Sequence, residues 1–212
     1  KFFIYYLGDP AMHLAIPKPN VQITKMNGVA VSQSLDTLKA LSKVSFEGIV
    51  TDDLMQPLPN FNGVLSTTIF DKPIIKTTLD NNNFGIKMSF DSRESKLFRG
   101  KSSITNGTFK FDFIVPKDIK IAYGKGKLSF YASNEKEDKS GANFDVVVGG
   151  INPDANSDTV GPELSIFMND ESFIDGANTN TTPNLIVSLA DESGINTSIT
   201  SVAHDIVAII DG

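Results

Sequence analysis

Phe109-Lys110-Phe111-Asp112-Phe113, reached from Leu97-Phe98-Arg99-Gly100-Lys101-Ser102-Ser103-Ile104 through the dipeptide Asn106-Gly107, decides the fold class of this chain. Three phenylalanines fall on one face of an extended segment, and a lysine and an aspartate fall on the other. That period of two is what a half-buried antiparallel strand requires. Asn-Gly tolerates the positive φ angles of a tight two-residue hairpin turn. Val115-Pro116-Lys117-Asp118 ends the return strand, because proline has no N–H to give to a ladder.

The same alternation extends outward in both directions. Val44–Val50, Gly63–Phe70 and Ile86–Phe90 read as strands before the hairpin, and Gly126–Ala132 and Phe144–Val148 after it. Glu135-Lys136-Glu137-Asp138-Lys139-Ser140-Gly141 reads as a charged, solvated connection. Asp36-Thr37-Leu38-Lys39-Ala40-Leu41 is the single helical-looking stretch, long enough for a turn or two. Short strands separated by Gly, Asn, Asp and Pro predict an all-β chain, an Ig-like antiparallel β-sandwich. The chain has 15 phenylalanines and no tryptophan, so the phenylalanines are expected to build the sandwich core.

Gly149–Pro162 is rich in turn formers and almost free of large apolar residues, which marks a linker. Beyond it, strands are expected at Glu163–Met168, Asn184–Leu189 and Asp205–Ile210. Three strands are too few to close a sandwich, so the second β domain is expected to be partial. Unpaired edges then predict packing on the first domain or pairing with another copy, a homodimer through sheet edges. At the other end, the apolar segment Lys1–Leu7 is stopped by Gly8-Asp9-Pro10 without a preceding initiator Met or signal peptide. A chain that opens inside a strand is expected to be an excised piece.

Composition removes several function classes. A length of 212 residues with 40% hydrophobic and 21% charged residues is ordinary for a globular protein with a real core. The net charge of −6, with lysines interleaved among acids, argues against nucleic acid. No apolar run approaches the roughly 18 residues of a membrane helix, so no membrane insertion is expected. Without cysteine there is no thiol nucleophile, thiolate metal site or disulfide. The two histidines, His13 and His204, are far apart, and His204 reads as a polar residue at the start of a strand. No catalytic, cofactor-binding or metal site residue is therefore assigned, and no cofactor is expected.

Smaller motifs have plain readings beside their functional ones. Asp154-Ala155-Asn156-Ser157-Asp158 alternates oxygen ligands like the opening of a calcium loop. Thr159 stands where the loop glycine belongs and Ser165 where the closing glutamate belongs, so a polar linker is the simpler reading. Asp170-Glu171 with Asp175, and Asp80-Asn81-Asn82-Asn83, read as solvated turns. Asp36-Thr37-Leu38 and Asp158-Thr159-Val160 match a three-residue bacterial O-glycosylation pattern at Thr37 and Thr159. Asn106-Gly107-Thr108, Asn180-Thr181-Thr182 and Asn196-Thr197-Ser198 match the N-glycan pattern.

One family resemblance covers nearly the whole chain. Leu7-Gly8-Asp9-Pro10-Ala11 with Leu14 resembles the segment that closes the catalytic domain of gingipain-type cysteine peptidases. Asp36–Ser42, Phe61-Asn62-Gly63, Leu97–Gly100, Val115–Ile119 and Gly124–Lys127 follow in order. So do Gly161–Leu164, Met168-Asn169-Asp170, Asp191–Asn196 and His204-Asp205-Ile206. Together they resemble the post-peptidase region of the C-terminal-signal peptidases, or sortases, of the type IX secretion system in Bacteroidota.

The resemblance implies a division of the chain. Lys1–Ile16 would be the terminal strand of the preceding peptidase domain, Pro17–Gly150 the Ig-like sandwich, Ile151–Pro162 the linker and Glu163–Gly212 the start of the second β domain. The family activity would remove targeting domains from secreted cargo and transfer the new terminus to surface lipopolysaccharide. Its Cys-His pair belongs to the preceding domain, so this chain is expected to be non-catalytic. Implied partners are the parent peptidase domain, cargo and outer-membrane attachment proteins, at the extracellular face of a Gram-negative cell. The alternative is a surface carbohydrate- or ligand-binding sandwich; a complete enzyme lacks its nucleophile.

Overall fold

The computed structural model describes residues 18–33, 35–155, 160–192, 194–195 and 206–209. Along the chain run β1 (Val21–Met26), β2 (Val29–Ala30), β3 (Thr37–Ala40), β4 (Lys43–Val50), β5 (Gly63–Phe70), β6 (Ile74–Thr77), β7 (Ser89–Ser92) and β8 (Lys96–Thr105). They continue with β9 (Thr108–Ile114), β10 (Gly124–Lys125), β11 (Lys127–Ser133), β12 (Asp138–Asn143), β13 (Val147–Ile151), β14 (Glu163–Met168) and β15 (Leu185–Ala190). No helix occurs among the described residues, and the all-β, sandwich-like reading holds.

Eight strands are hydrogen-bonded in the order β12-β11-β5-β8-β9-β4-β1-β2. The middle of that order is the hairpin on which the sequence turned. Asn106 and Gly107 take φ of 51° and 71°, the two positive angles of the turn. Beside it, β8 pairs with β9 only at Ile104–Phe109 and Thr105–Thr108. From there the two strands part, β8 running along β5 and β9 along β4. The sheet thus folds into two facing layers, β12-β11-β5-β8 and β9-β4-β1-β2.

Aromatic side chains fill the space between the layers. Phe98 on β8 stacks on Phe111 at 5.8 Å and meets Phe113 at 5.0 Å, both on β9. Phe109 on β9 meets Phe130 on β11 at 6.0 Å. Phe46 on β4 contacts both Phe111 and Phe113 and is fully buried. Burial along β9 alternates residue by residue, with Phe109, Phe111 and Phe113 inside.

The far edges of the layers also meet. Pro19 forms an isolated parallel bridge with Ser140, and a Cβ added at Gly141 would lie 1.9 Å from the Val21 carbonyl oxygen. Only a residue without a side chain lets β12 approach β1 so closely. Gly141→Ala is expected to push the edges apart and destabilise the fold by about 1–3 kcal/mol, the usual range for overpacking. Urea unfolding would register this, with faster amide exchange at Val21 and Ile23. An unchanged midpoint would mean that the seam is open.

Several expected elements differ. Thr37–Ala40 is strand β3, not helix, and it pairs in parallel with β13 at Thr37–Val147 and Leu38–Val148. Leu38 and Ala40, two apart, are both buried, and Leu41 turns the chain at φ 65°. Burying every second residue against a neighbouring strand outweighs a weak helical propensity. With β10, these strands form a three-stranded sheet that contributes Leu38, Ala40 and Val148 to the core.

The charged connection is shorter than expected, because Asp138–Gly141 already belongs to β12. Its polar residues suit an edge strand whose ladder is with β11 alone and whose other side, among the described residues, is bridged only at Pro19–Ser140. Ile86–Met88 precede the strand that begins at Ser89, and Phe144–Val146 precede the one that begins at Val147. β14 and β15 pair with each other along Glu163–Ala190 to Met168–Leu185. Residues 206–209, within the third strand expected after the linker, have no strand assignment and are exposed. A lone extended segment leaves its backbone groups to water unless a neighbour pairs with it. Residues 1–16, with the Gly8-Asp9-Pro10 turn, lie outside the described residues.

Candidate interaction surface

β6 and β7 leave the sandwich as an arm. They pair only with each other, from Ile74–Ser92 to Thr77–Ser89. The tip is organised by Asp80, whose carboxylate accepts the N–H groups of Phe84 (3.0 Å) and Gly85 (2.9 Å). Asp80, Asn83 and Gly85 all take positive φ, which Asp, Asn and Gly tolerate best. The Asp80–Asn83 stretch is therefore the turn its composition implied.

The arm carries apolar side chains that are not packed on the core. Ile75, Leu79, Phe84, Ile86, Met88 and Phe90 are between 49% and 82% exposed. Phe84 and Phe90, with Phe144 at 50%, correct the expectation that the phenylalanines are core. Period-two reading assumes a layer behind one face of each strand, and an arm standing away from the sandwich has none. The hairpin was legible, since two apolar runs, Ile74-Ile75 and Ile86–Phe90, flank an Asx-rich turn ending in Gly85, but its exposure was not.

The root of the arm is fixed by charge. Asp71 and Lys72 are a buried ion pair at 2.7 Å, with side chains 4% and 10% exposed. The Lys72 ammonium also donates to the carbonyls of Lys120 (2.9 Å) and Val148 (3.3 Å), joining the end of β5 to β13. The Asp71 N–H donates to the Ser95 carbonyl at 2.9 Å, which draws the outgoing and returning chains together. Lys76 and Glu94 form a solvent-exposed clip just beyond. The Lys76 ammonium and then the Ser92 hydroxyl hold the Glu94 carboxyl below its ordinary range. The clip is thus present above the usual glutamate pKa and is lost as pH falls through the lowered value.

The candidate motifs settle as local structure where they are described. Asp170 accepts from the Ser172 N–H (2.9 Å) and from its hydroxyl, which lowers the Asp170 pKa and makes the Asp170-Glu171 segment a solvated turn. Asn152 caps Asp154 at 3.1 Å, while 156–159, and with them most of the calcium-like stretch and Thr159, lie outside the described residues. Thr37 sits half-buried in β3 opposite Val147. Asn106 is a hairpin turn residue, Asn180 accepts from the Thr182 N–H at 3.2 Å, and Asn196 is outside the described set. His13 and His204 lie outside it too. Among the described residues no group of three or more His, Asp or Glu could hold a metal ion.

No protein-family model matches the chain, and no curated protein matches it significantly. Among solved structures it is similar to the crystal structure of dimeric latent PorU from Porphyromonas gingivalis, with a TM-score of 0.66 and 30% sequence identity. The match covers 87% of this chain and 18% of the PorU chain. Fold and sequence agreement over most of its own length make this chain a PorU-like β region, corresponding to less than a fifth of that protein.

Proposed function

We propose that the chain is the non-catalytic β region that follows the peptidase domain in a longer, PorU-like C-terminal-signal peptidase (sortase) of a type IX secretion system. In this reading residues 1–16 close the gingipain-type peptidase domain, 17–150 form the supporting sandwich, 151–162 link, and 163–212 begin a second β domain. The peptidase chemistry resides outside this chain, which has no cysteine to act as nucleophile. The region would hold the peptidase domain at the extracellular face of the outer membrane and dock it to cargo or attachment proteins. The observation that carries the reading is the agreement in sequence and fold with PorU.

The exposed arm supports a docking role, because an apolar, free-edged hairpin invites a partner strand or surface. A second copy is the occupant favoured by the similarity to a PorU that crystallised as a dimer. The test uses the full-length protein carrying Ile75→Asp, Phe84→Asp and Met88→Asp together, all at exposed positions. The expected result is an unchanged Tm with loss of self-association by light scattering. A dimer that persists would remove the arm from the interface. Turnover of a cargo peptide by residues 1–212 alone would overturn the non-catalytic reading itself.

A further inference from the structure

The outer face of β11, β5 and β8 carries a second feature, independent of the arm. The registers Ser129–Thr68–Arg99 and Tyr131–Ser66–Lys101 place six side chains in two adjacent rows on one face. Rows on one face lie about 7 Å apart along a strand, and cross-strand neighbours about 5 Å apart. These residues line a concavity of about 390 Å³. Its floor is the sheet itself, because Leu65, Thr67 and Ile69 on β5 point the other way and are buried.

Seven lysines elsewhere are paired with carboxylates: Lys18, Lys25, Lys72, Lys76, Lys110, Lys125 and Lys139. Arg99 and Lys101 are exposed and in no ion pair among the described residues. Lys39, Lys43, Lys87, Lys96, Lys117, Lys120 and Lys136 are also in no ion pair among the described residues. What marks this face is therefore the company its two cations keep: four hydroxyls in two adjacent rows. The flanking strand β12 offers Ser140 beside Tyr131 and Ala142 beside Ser129, so it supplies no acid to either row. A chain of net charge −6 thus keeps two neighbouring cations and four hydroxyls together without a carboxylate.

We infer that this concavity binds a saccharide unit bearing an oxyanion, a phosphate or a carboxylate. The Arg99 guanidinium presents a planar fork suited to two anion oxygens, and Lys101 adds a point charge about 7 Å along the strand. Ser66, Thr68 and Ser129 can each donate and accept, as sugar hydroxyls require. Tyr131, 48% exposed, supplies a ring edge and a further hydroxyl at the rim. An inorganic anion alone would use the cations and leave the hydroxyl row idle.

The test is an amide-resolved NMR titration of the chain with glucose 6-phosphate, glucuronate, glucose and inorganic phosphate. The expected result is saturable shifts at Ser66, Thr68, Gly100 and Tyr131 with the two anionic sugars. Glucose and phosphate should bind about tenfold or more weakly, since each lacks one half of the recognition. Arg99→Gln with Lys101→Gln should weaken glucose 6-phosphate at least about tenfold, at unchanged Tm, because both side chains are exposed. Equal affinity for phosphate and glucose 6-phosphate would overturn the saccharide assignment. Absence of shifts at these residues with either anionic sugar, or full retention in the double variant, would overturn the site.

Discussion

Phe46→Ala is expected to destabilise the protein by about 3–5 kcal/mol, the range for removing a fully buried aromatic ring. Phe46 is 0% exposed and sits on β4 between the rings of Phe111 (5.5 Å) and Phe113 (6.3 Å). Those two rings in turn contact Phe98 on the opposite layer. Truncation therefore leaves a cavity in the cluster that joins both layers, and the surrounding strands can relax only partly because their ladders fix them. At about 2–4 °C per kcal/mol for a chain of this size, Tm should fall by roughly 10 °C. Calorimetry with a urea titration would measure it. A loss below about 1 kcal/mol would mean that the cluster is loosely packed. Phe90→Ala, on the exposed arm, should change stability little and serves as the matched control.

Lys72→Met is expected to cost a similar amount for a different reason. Methionine preserves much of the stem volume, but Asp71 then keeps a buried carboxylate without its cation, and the Lys120 and Val148 carbonyls lose a donor. Breaking a buried pair from one side costs about 3–5 kcal/mol, mainly the desolvation of the stranded charge. Asp71→Asn with Lys72→Met removes both charges and should recover a good part of the loss, giving a large coupling in a double-mutant cycle. Additivity of the two substitutions would show that water already screens the pair. Amide exchange should also rise at Ser95 and along β6 and β7, because the pair anchors the arm's root.

The strands β4, β5, β8, β9 and β11 were legible because each alternates more and less buried residues against a facing layer. By contrast, β14 was legible only as an apolar run after a linker and stays largely exposed. The Asn106-Gly107 turn was legible because its chemistry is local. Asn27-Gly28, with φ of 51° and 80°, joins β1 to β2 by the same device and carried the same signal. What escaped was non-local. β3 looks helical until β13, more than a hundred residues later, offers it a parallel partner. β12 looks like a polar connection until β11 and the β1 seam claim it.

The candidate surfaces divide along the same line. Missing cysteine and sparse histidine left no catalytic residue to assign from the sequence, and the ordered motifs raised the expectation of a non-catalytic region before any coordinates. The apolar residues of the arm could not be told from core residues, since hydrophobicity reports a preference for burial and not whether a second layer is there to satisfy it. Arg99 and Lys101 likewise read as ordinary solvated charges until strand register set them beside Ser66, Thr68, Ser129 and Tyr131. Local alternation specified the class, an antiparallel all-β sandwich, because a strand's two faces are written residue by residue. Tertiary pairing alone chose which edges close, which hairpin stands free and which charges go unpaired, because each depends on segments brought together from distant parts of the chain.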